Sequence, residues 1–296
     1  MIELFSLKAW KPRIRETRLT LFLLARNKLT LTAMIFTLLL VLIAVFAPSI
    51  VPFPTQIYGI DALEDKLLPP SSVHLFGTDE LGRDMFSRVL FGTRISLTTA
   101  LTSIALAVMI GVPLGAIAGY SNKVIDEAIM RVTDIFLSFP PMLMALAIAA
   151  FLGPSLTNAI LAIGLAWWPM YTRLIRGQAV SLRERQFVRA ARVIGTPYLK
   201  IIFGHILPNC IAPLIIQASL DLGTVILIVA SLSFLGLGAQ PPTPDWGLLI
   251  STSRNYFLNA WWYSVFPGLA IFVTVLALNL VGDGLRETLD PRTRNR

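Results

Sequence analysis

Arg189-Ala190-Ala191-Arg192-Val193-Ile194-Gly195-Thr196-Pro197-Tyr198-Leu199-Lys200-Ile201-Ile202-Phe203-Gly204-His205-Ile206-Leu207-Pro208 is a basic stretch set between long apolar runs. Gly195, with no side chain, suits the left-handed position just past a helix end. Thr196 is then expected to cap a second helix, with Pro197 in its first turn. The stretch predicts a short helix, a sharp turn and another helix, held at a membrane surface and facing water. With successive residues about 100° apart around a helix, Arg185, Arg189 and Arg192 fall on one side, and Phe187, Ala191 and Ile194 on the other. Two readings fit such a helix: a basic face resting on anionic lipid, or a docking surface for another protein.

The rest of the chain makes the membrane setting plain. Hydrophobic residues form 55% of its 296 residues and charged residues only 14%, and the apolar residues come in blocks long enough to cross a bilayer. Candidate spans are Leu29–Ala47, Ile95–Ala118, Met130–Leu152, Leu156–Tyr171, Ile211–Leu235 and Trp262–Val281. The expected fold is an all-α polytopic membrane protein with six transmembrane helices. The fourth span is short and ends in Trp167, Trp168, Pro169 and Tyr171, residues suited to an interfacial belt.

Lys and Arg in short flanks set orientation. Lys8, Lys11, Arg13, Arg15, Arg18, Arg26 and Lys28 precede the first span, and Arg173, Arg176, Arg183, Arg185, Arg189, Arg192 and Lys200 follow the fourth. Both segments, and the tail with Arg286, Arg292, Arg294 and Arg296, are expected to be cytoplasmic. Between the first two spans, Asp61, Glu64, Asp65, Asp79, Glu80 and Asp84 outnumber Lys66, Arg83 and Arg88, which places that segment outside. The same scatter of cations over three segments accounts for the net charge of +8 without a nucleic-acid partner. The first span is long and lacks a small-x-small cleavage site before Pro48, so it reads as an uncleaved anchor. The lone Cys210 reads as a packed thiol.

The spacing Ala190-Ala191, three residues, Gly195, nine residues, His205, one residue, Leu207-Pro208 resembles the cytoplasmic coupling motif of bacterial ABC-importer permeases, the pore subunits that seat an ATPase. Arg189 stands where that motif commonly has Glu, and His205 where it often has Ile; His-x-Leu-Pro is the form associated with the peptide branch. Further blocks resemble the second permease of dipeptide, oligopeptide and nickel importers. They are Gly77-Thr78-Asp79 with Gly82-Arg83-Asp84, Ser87 and Arg88; Leu232 through Gly247; and Gly282-Asp283-Gly284-Leu285-Arg286 with Leu289-Asp290-Pro291. The resemblance implies a type I ABC-importer permease in a bacterial or archaeal plasma membrane. It divides the chain into a cytoplasmic arm at 1–28, a first helix at 29–47, an external segment at 48–94, a five-helix core at 95–283 with a coupling segment at 184–206, and a tail at 284–296.

The implied partners are a homologous permease, two ABC ATPase subunits and an extracytoplasmic substrate-binding protein, within membrane lipid. The coupling residues are Arg189, Ala190, Ala191, Gly195, His205, Leu207 and Pro208. The chain has no Gly-x-x-x-x-Gly-Lys-Ser/Thr phosphate loop. It is therefore expected to be no enzyme and to bind no cofactor, with ATP and Mg²⁺ held by the partner ATPases. His74 and His205 lie in different expected compartments without neighbours at ligand spacing, so no metal site is expected.

Inside the spans, Asp221 is the one deep ionisable residue, with Gln217 and Ser219 near it. A charge at that depth faces protein or a wet cavity, so Asp221 and Gln217 are candidates for lining the pathway, with Asp221 alternatively a structural partner for a polar group on the companion permease. Arg131 and Asp134 are spaced to pair on one helical face. Gly111, Gly115 and Gly119 predict a close helix contact. Pro113, Pro140, Pro141 and Pro267 predict bends. An ion-coupled secondary transporter would normally carry several intramembrane ionisable groups, and a membrane enzyme a nucleophile, base or metal cluster. Neither pattern is present. Within the resembling family the cargo reads as di- or oligopeptide, with nickel or oligosaccharide as alternatives.

Overall fold

The computed structural model describes residues 27–59 and 63–289. Most cations of the N-terminal arm, Asp61, the last arginines and the motif residues Asp290 and Pro291 lie outside them. Helices dominate the described residues, and the one β-type pairing is an isolated bridge between Thr78 and Asp84. In chain order the main helices are α1 (Lys28–Ile50), α2 (Met85–Tyr120), α3 (Lys123–Leu137), α4 (Pro141–Leu152), α5 (Leu156–Arg183), α6 (Gln186–Val193), α7 (Tyr198–Ile201), α8 (Ile211–Phe234), α9 (Trp246–Ser253) and α10 (Trp262–Leu289).

Local chemistry sets most of the starts. Asn27, Asp84, Asn122, Ser155 and Asp245 each accept a backbone N–H from the first turn of α1, α2, α3, α5 and α9 respectively. These are the residue types that satisfy the orphan donors of a helix N-terminus. Gly153, at φ +89°, ends α4 in a conformation open to glycine.

Glycine decides the central packing. A Cβ at Gly111 would lie 2.5 Å from the Trp168 carbonyl oxygen, one at Gly115 would collide with the Thr172 carbonyl, and one at Gly119 would stand 2.6 Å from Ala179 Cβ. The expected close contact is therefore present, and α5 is its other side. The contact levels descend in the same order on both helices, so α2 and α5 run parallel. Parallel neighbours require the intervening chain to return across the layer, and α3 and α4 make that return with an 86° bend between them. By contrast α8 and α10 are antiparallel, with Gly223 against Asn279 and Gly282 against Leu220, and Gly284 of α10 meets Thr30 of α1.

Several sequence expectations need correction. Among the described residues, four helical stretches are long and apolar enough to cross a membrane, namely α1, α2, Tyr198–Phe234 and α10, with the bent α3–α4 pair a fifth. The count of six single spans is not reproduced. The third span is broken because Pro140 and Pro141 remove backbone donors. The fourth is the first part of a 28-residue helix, so Arg173, Arg176 and Arg183 ride on α5 rather than on a loop. α2 starts at Met85, ten residues before the expected span and inside the expected external segment, because Asp84 caps it there. α1 runs through Pro48, and α10 runs past the expected tail boundary at 284 to Leu289.

The segment expected to lie outside, 48–94, is fastened to three helices. Ser87 Oγ accepts from the Phe53 amide at 3.1 Å, Trp246 Nε1 donates to the Val89 carbonyl at 3.0 Å, and Trp262 Nε1 donates to the Thr78 carbonyl at 3.2 Å. Phe76 stacks on Phe266 with centroids 3.9 Å apart. The turns at Gly77 and Gly82 are left-handed, at φ +72° and +78°. They set Asp79 to bond Arg83 Nε at 2.7 Å and Asp84 to face His74 Nδ1 at 2.9 Å.

The α2–α5 contact predicts a sharp contrast between two glycines. Gly115→Val should lower stability by roughly 1–3 kcal/mol, since a fixed backbone carbonyl blocks the new side chain. Gly177→Ala on α5, with no atom within 4 Å of its Cβ position, should be neutral or slightly stabilising. Thermal unfolding midpoints of the detergent-purified protein check this, and equal midpoints for the two variants would remove the packing argument.

Candidate functional site

The basic interruption folds as the expected helix, turn and helix, with a different internal arrangement. α6 ends in a Schellman-type closure: the Gly195 amide donates to the Arg192 carbonyl at 3.1 Å and the Thr196 amide to the Ala191 carbonyl at 3.0 Å. Gly195 sits at φ +76° with open space around its Cα, as its spacing predicted. The next cap shifts by one residue. Pro197 (φ −56°, ψ 144°) occupies the N-cap of α7, with no side-chain cap bond, so Thr196 does not serve as the cap. At its other end α7 passes into a π-helical turn at Ile202–Ile206, a 3₁₀ turn at Leu207–Cys210 and then α8.

The buried side of this element is narrow. Val188 and Ala191 of α6 join Ile201, Ile202, Ile206 and Cys210 in a cluster with Ala116 and Tyr120 of α2 and Ile175 and Ala179 of α5. Polar contacts fix the same seat. Ser121 Oγ and Tyr198 Oη share a hydrogen bond at 2.5 Å, and the Arg192 guanidinium lies 5.4 Å from the centre of the Tyr120 ring.

The expected two-sidedness of α6 is half right. Arg185, Arg189 and Arg192 are exposed and Ala191 is buried, but Phe187 and Ile194 are also exposed. Val193 and Ile194 are 87% and 81% exposed, and Leu199 and Phe203 add to the same apolar surface. Four outward apolar side chains within eleven residues form the kind of exposed surface that is found at interaction sites. Arg189 Nη2 bonds Glu184 Oε2 at 2.7 Å, and that guanidinium, followed by Arg183, holds the Glu184 carboxyl below the ordinary carboxylate range.

Other ion pairs brace the seat from α3. Arg176 meets Asp126 with two hydrogen bonds, at 2.6 and 2.7 Å, and Arg173 Nη2 bonds Asp134 at 2.6 Å. Asp134 therefore pairs across helices rather than with Arg131, correcting the local pairing expected from spacing. α5 packs against α3 and presents Arg173 directly to that carboxylate. Of the expected residues, Ala191 is buried, His205 and Leu207 are half-buried, and Arg189, Ala190, Gly195 and Pro208 are exposed. Asn209 Nδ2 donates to the His205 carbonyl at 2.7 Å.

Asp221 and Gln217 lie farther along α8, away from that surface. Gln217 Nε2 donates to Asp221 Oδ1 at 3.0 Å, and Tyr171 and Trp167 of α5 stand beside the carboxylate. Asp221 is buried within the chain.

A chain that combines parallel glycine-packed helices with a closed, outward-facing helical turn of this spacing can be compared with known proteins. Residues 111–295 match the model of the binding-protein-dependent transport system inner membrane component, and residues 17–70 match the N-terminal TM domain of oligopeptide transport permease C. The chain belongs to this permease family. It is 45% identical over 272 residues to the dipeptide transport system permease protein DppC of Alkalihalophilus pseudofirmus, covering 92% of this chain and 88% of the relative. It is 45% identical over 271 residues to the probable D,D-dipeptide transport system permease protein DdpC of Escherichia coli, covering 92% and 90%. The di/tripeptide permease DppC of Pseudomonas aeruginosa is 44% identical over 277 residues, again covering 92% and 90%. Among solved structures, an inward-facing form of the MetNI methionine ABC transporter matches with a TM-score of 0.57 and 18% identity. That match covers 70% of this chain and 98% of the other, and it shows a shared fold. The chain is thus a multi-pass inner-membrane permease subunit, a class that is not itself catalytic.

Sequence reasoning missed the inner wall of the seat. Ile201, Ile202 and Ile206 were visible as an apolar set, but not as the side facing α2 and α5. The left-handed Gly195 turn predicts that Gly195→Val, straining the backbone by roughly 1–2 kcal/mol, speeds amide exchange over residues 191–200 while Gly195→Asn changes it less. Indistinguishable exchange in the two variants would contradict the turn geometry.

Proposed function

We propose that this chain forms half of the translocation pathway of an ATP-driven importer for di- or oligopeptides. The observation that carries the reading is the rigid apolar turn from Val193 to Phe203, seated on the ends of α2 and α5. A partner ATPase covers this turn, and closure of two ATPases moves it together with the helices beneath it. The peptide cargo is supported by the relatives, whose names are those of peptide permeases across nearly the whole length of the chain. ATP and Mg²⁺ are bound on the ATPase subunits, a homologous permease supplies the other half of the pathway, and an external binding protein delivers cargo.

The topology proposed has six crossings, counting the bent α3–α4 pair and α5 as one each. The start of α1 and the end of α10 share one end of the helices with the coupling turn, and the Lys/Arg asymmetry makes that end cytoplasmic. Asp221 is enclosed by its own chain and bonded only to Gln217 of the same helix, while Asp221 Oδ2 and the facing Tyr171 Oη and Trp167 Nε1 of α5 make no hydrogen bond; it is a buried carboxylate packed beside α5 and not a hydrogen-bonded tie to it.

Two experiments test this reading. Val193→Asp and Ile194→Asp change exposed positions, so the permease should accumulate normally while ATPase co-purification and uptake of a labelled dipeptide fall at least tenfold. Wild-type uptake in both variants would remove the docking assignment. In a Cys210→Ser background, a cysteine at Ser72 should react with an impermeant thiol reagent added to intact cells and one at Ser181 should not. Labelling at Ser181 from outside would reverse the topology.

A further inference from the structure

Among the described residues no large apolar side chain is more exposed than Leu258, at 95%. It lies in the turn between α9 and α10, just after the exposed Phe257 and shortly before Trp261, which is 51% exposed. The turn is a closed unit. The Tyr256 carbonyl accepts the amides of Asn259 and Ala260, at 3.0 and 2.7 Å, and the Trp261 carbonyl accepts the Val265 amide of α10 at 3.0 Å. Thr252 and Tyr263 share a hydrogen bond at 2.8 Å across its base. Phe257, Leu258 and Trp261 are thus held outward by a fixed backbone, and the transport reading gives them no role.

Helix lengths give the depth of this turn. Residues 29–50 of α1 and 262–282 of α10, runs of 22 and 21 residues, contain no Asp, Glu, Lys or Arg. At 1.5 Å per residue they extend about 33 and 32 Å, close to the hydrocarbon thickness of about 30 Å. Charge begins at Lys28 on the one and at Asp283 on the other, and these ends meet, since Gly284 packs on Thr30. Both runs therefore start at one boundary of the hydrocarbon and reach the opposite boundary near Ile50 and Trp262. The turn ending at Trp261 sits at that second boundary.

Exposed apolar groups mark contact with protein or with membrane, and here the depth decides between them. Trp261 shares one side of α10 with the exposed Leu269, Phe272 and Leu276, successive residues being about 100° apart. Its ring lies 6.0 Å from that of Phe266 on the first turns of the same helix. One exposed apolar side thus runs from the hydrocarbon up to the turn, and a soluble partner would have to displace headgroups to cover it. The residue types fit a boundary: Trp is enriched at headgroup level, and the exposed Arg254 at the start of the turn has a side chain that reaches from apolar surface to phosphate. We propose that the turn from Arg254 to Trp261 is a lipid anchor, with Phe257, Leu258 and Trp261 inserted at headgroup level in the outer leaflet and Arg254 among the phosphates. The choice of the outer leaflet rests on the topology of the import reading. Such an anchor fixes the height of α9, whose Trp246 is bonded to α2.

The test uses the assembled importer in lipid nanodiscs, with cysteine-free partner subunits and a Cys210→Ser background. An environment-sensitive fluorophore is attached at Leu258→Cys, at Phe257→Cys, or at the exposed Asn255→Cys as a reference. Lipid spin-labelled near the headgroup should quench the label at 257 and at 258 at least threefold more strongly than the label at 255, and aqueous iodide should quench it at least threefold less. Equal quenching at the three positions would overturn the proposal. So would a blue-shifted label at 258 that lipid does not quench, which assigns the patch to the companion permease, or a water-like emission that turns blue only when the binding protein is added, which assigns it to that protein. Labelling of Asn255→Cys in intact cells separates this proposal from the topology. Reaction from outside without lipid quenching at 258 removes the anchor alone, whereas failure to react from outside despite quenching at 258 removes the topology and the outer-leaflet placement with it.

Discussion

The parallel contact between α2 and α5 is the constraint on which the other elements depend. Within a bilayer, lipid tails are as apolar as the helices, so association relies on close packing and hydrogen bonds rather than on exclusion of water. Gly111, Gly115 and Gly119 let the two backbones approach until only hydrogen-sized groups fit between them. Thr172 adds a hydrogen bond from its hydroxyl to the Gly111 carbonyl at 3.2 Å. Once this pair is fixed, the direction of α5 is fixed, the chain between must return through α3 and α4, and Ile175 and Ala179 arrive beside Tyr120. The Gly195 turn has a seat because those residues are already there.

Charge placement follows the same logic. Arg173 and Arg176 fall on the part of α5 that passes α3, and Asp134 and Asp126 face them. Their spacing along the chain exceeds anything a helical repeat encodes. The Asp126–Arg176 pair is bidentate and partly buried, a geometry more favourable than that of an isolated surface pair.

Much of the fold was legible because some signals are local. The four-residue glycine spacing, the proline pair at 140–141 and the left-handed Gly195 each state their own geometry. What stayed hidden depends on neighbours. Arginines along α5 disguise one long helix as a short span and a loop. The helical wheel of α6 groups Phe187, Ala191 and Ile194 together, yet the contact with α2 and α5 is narrow enough to admit only Val188 and Ala191, leaving the larger apolar residues outside. Arg131 and Asp134 have suitable spacing, but a closer guanidinium from another helix takes the carboxylate. The meeting of Tyr58, Arg88 and Thr252 around one cleft was hidden for the same reason, since they come together only after the chain has folded.

At 1.5 Å per residue, the 36 residues of α2 extend about 54 Å, well beyond a hydrocarbon layer of about 30 Å. One continuous helix therefore begins inside the hydrogen-bonded segment that precedes it, where Asp84 caps it, and finishes beneath the Gly195 turn, where Tyr120 packs. A stiff rod anchored at both ends converts a tilt at one surface into a displacement at the other without any relay of side chains. The backbone bond missing at Pro113 falls between Gly111 and Gly115, inside the contact with α5, so the place where this rod bends most easily is also the place where it is held. A load applied at one end of α2 would thus reach the other along a single covalent element, with the fulcrum set by the glycines.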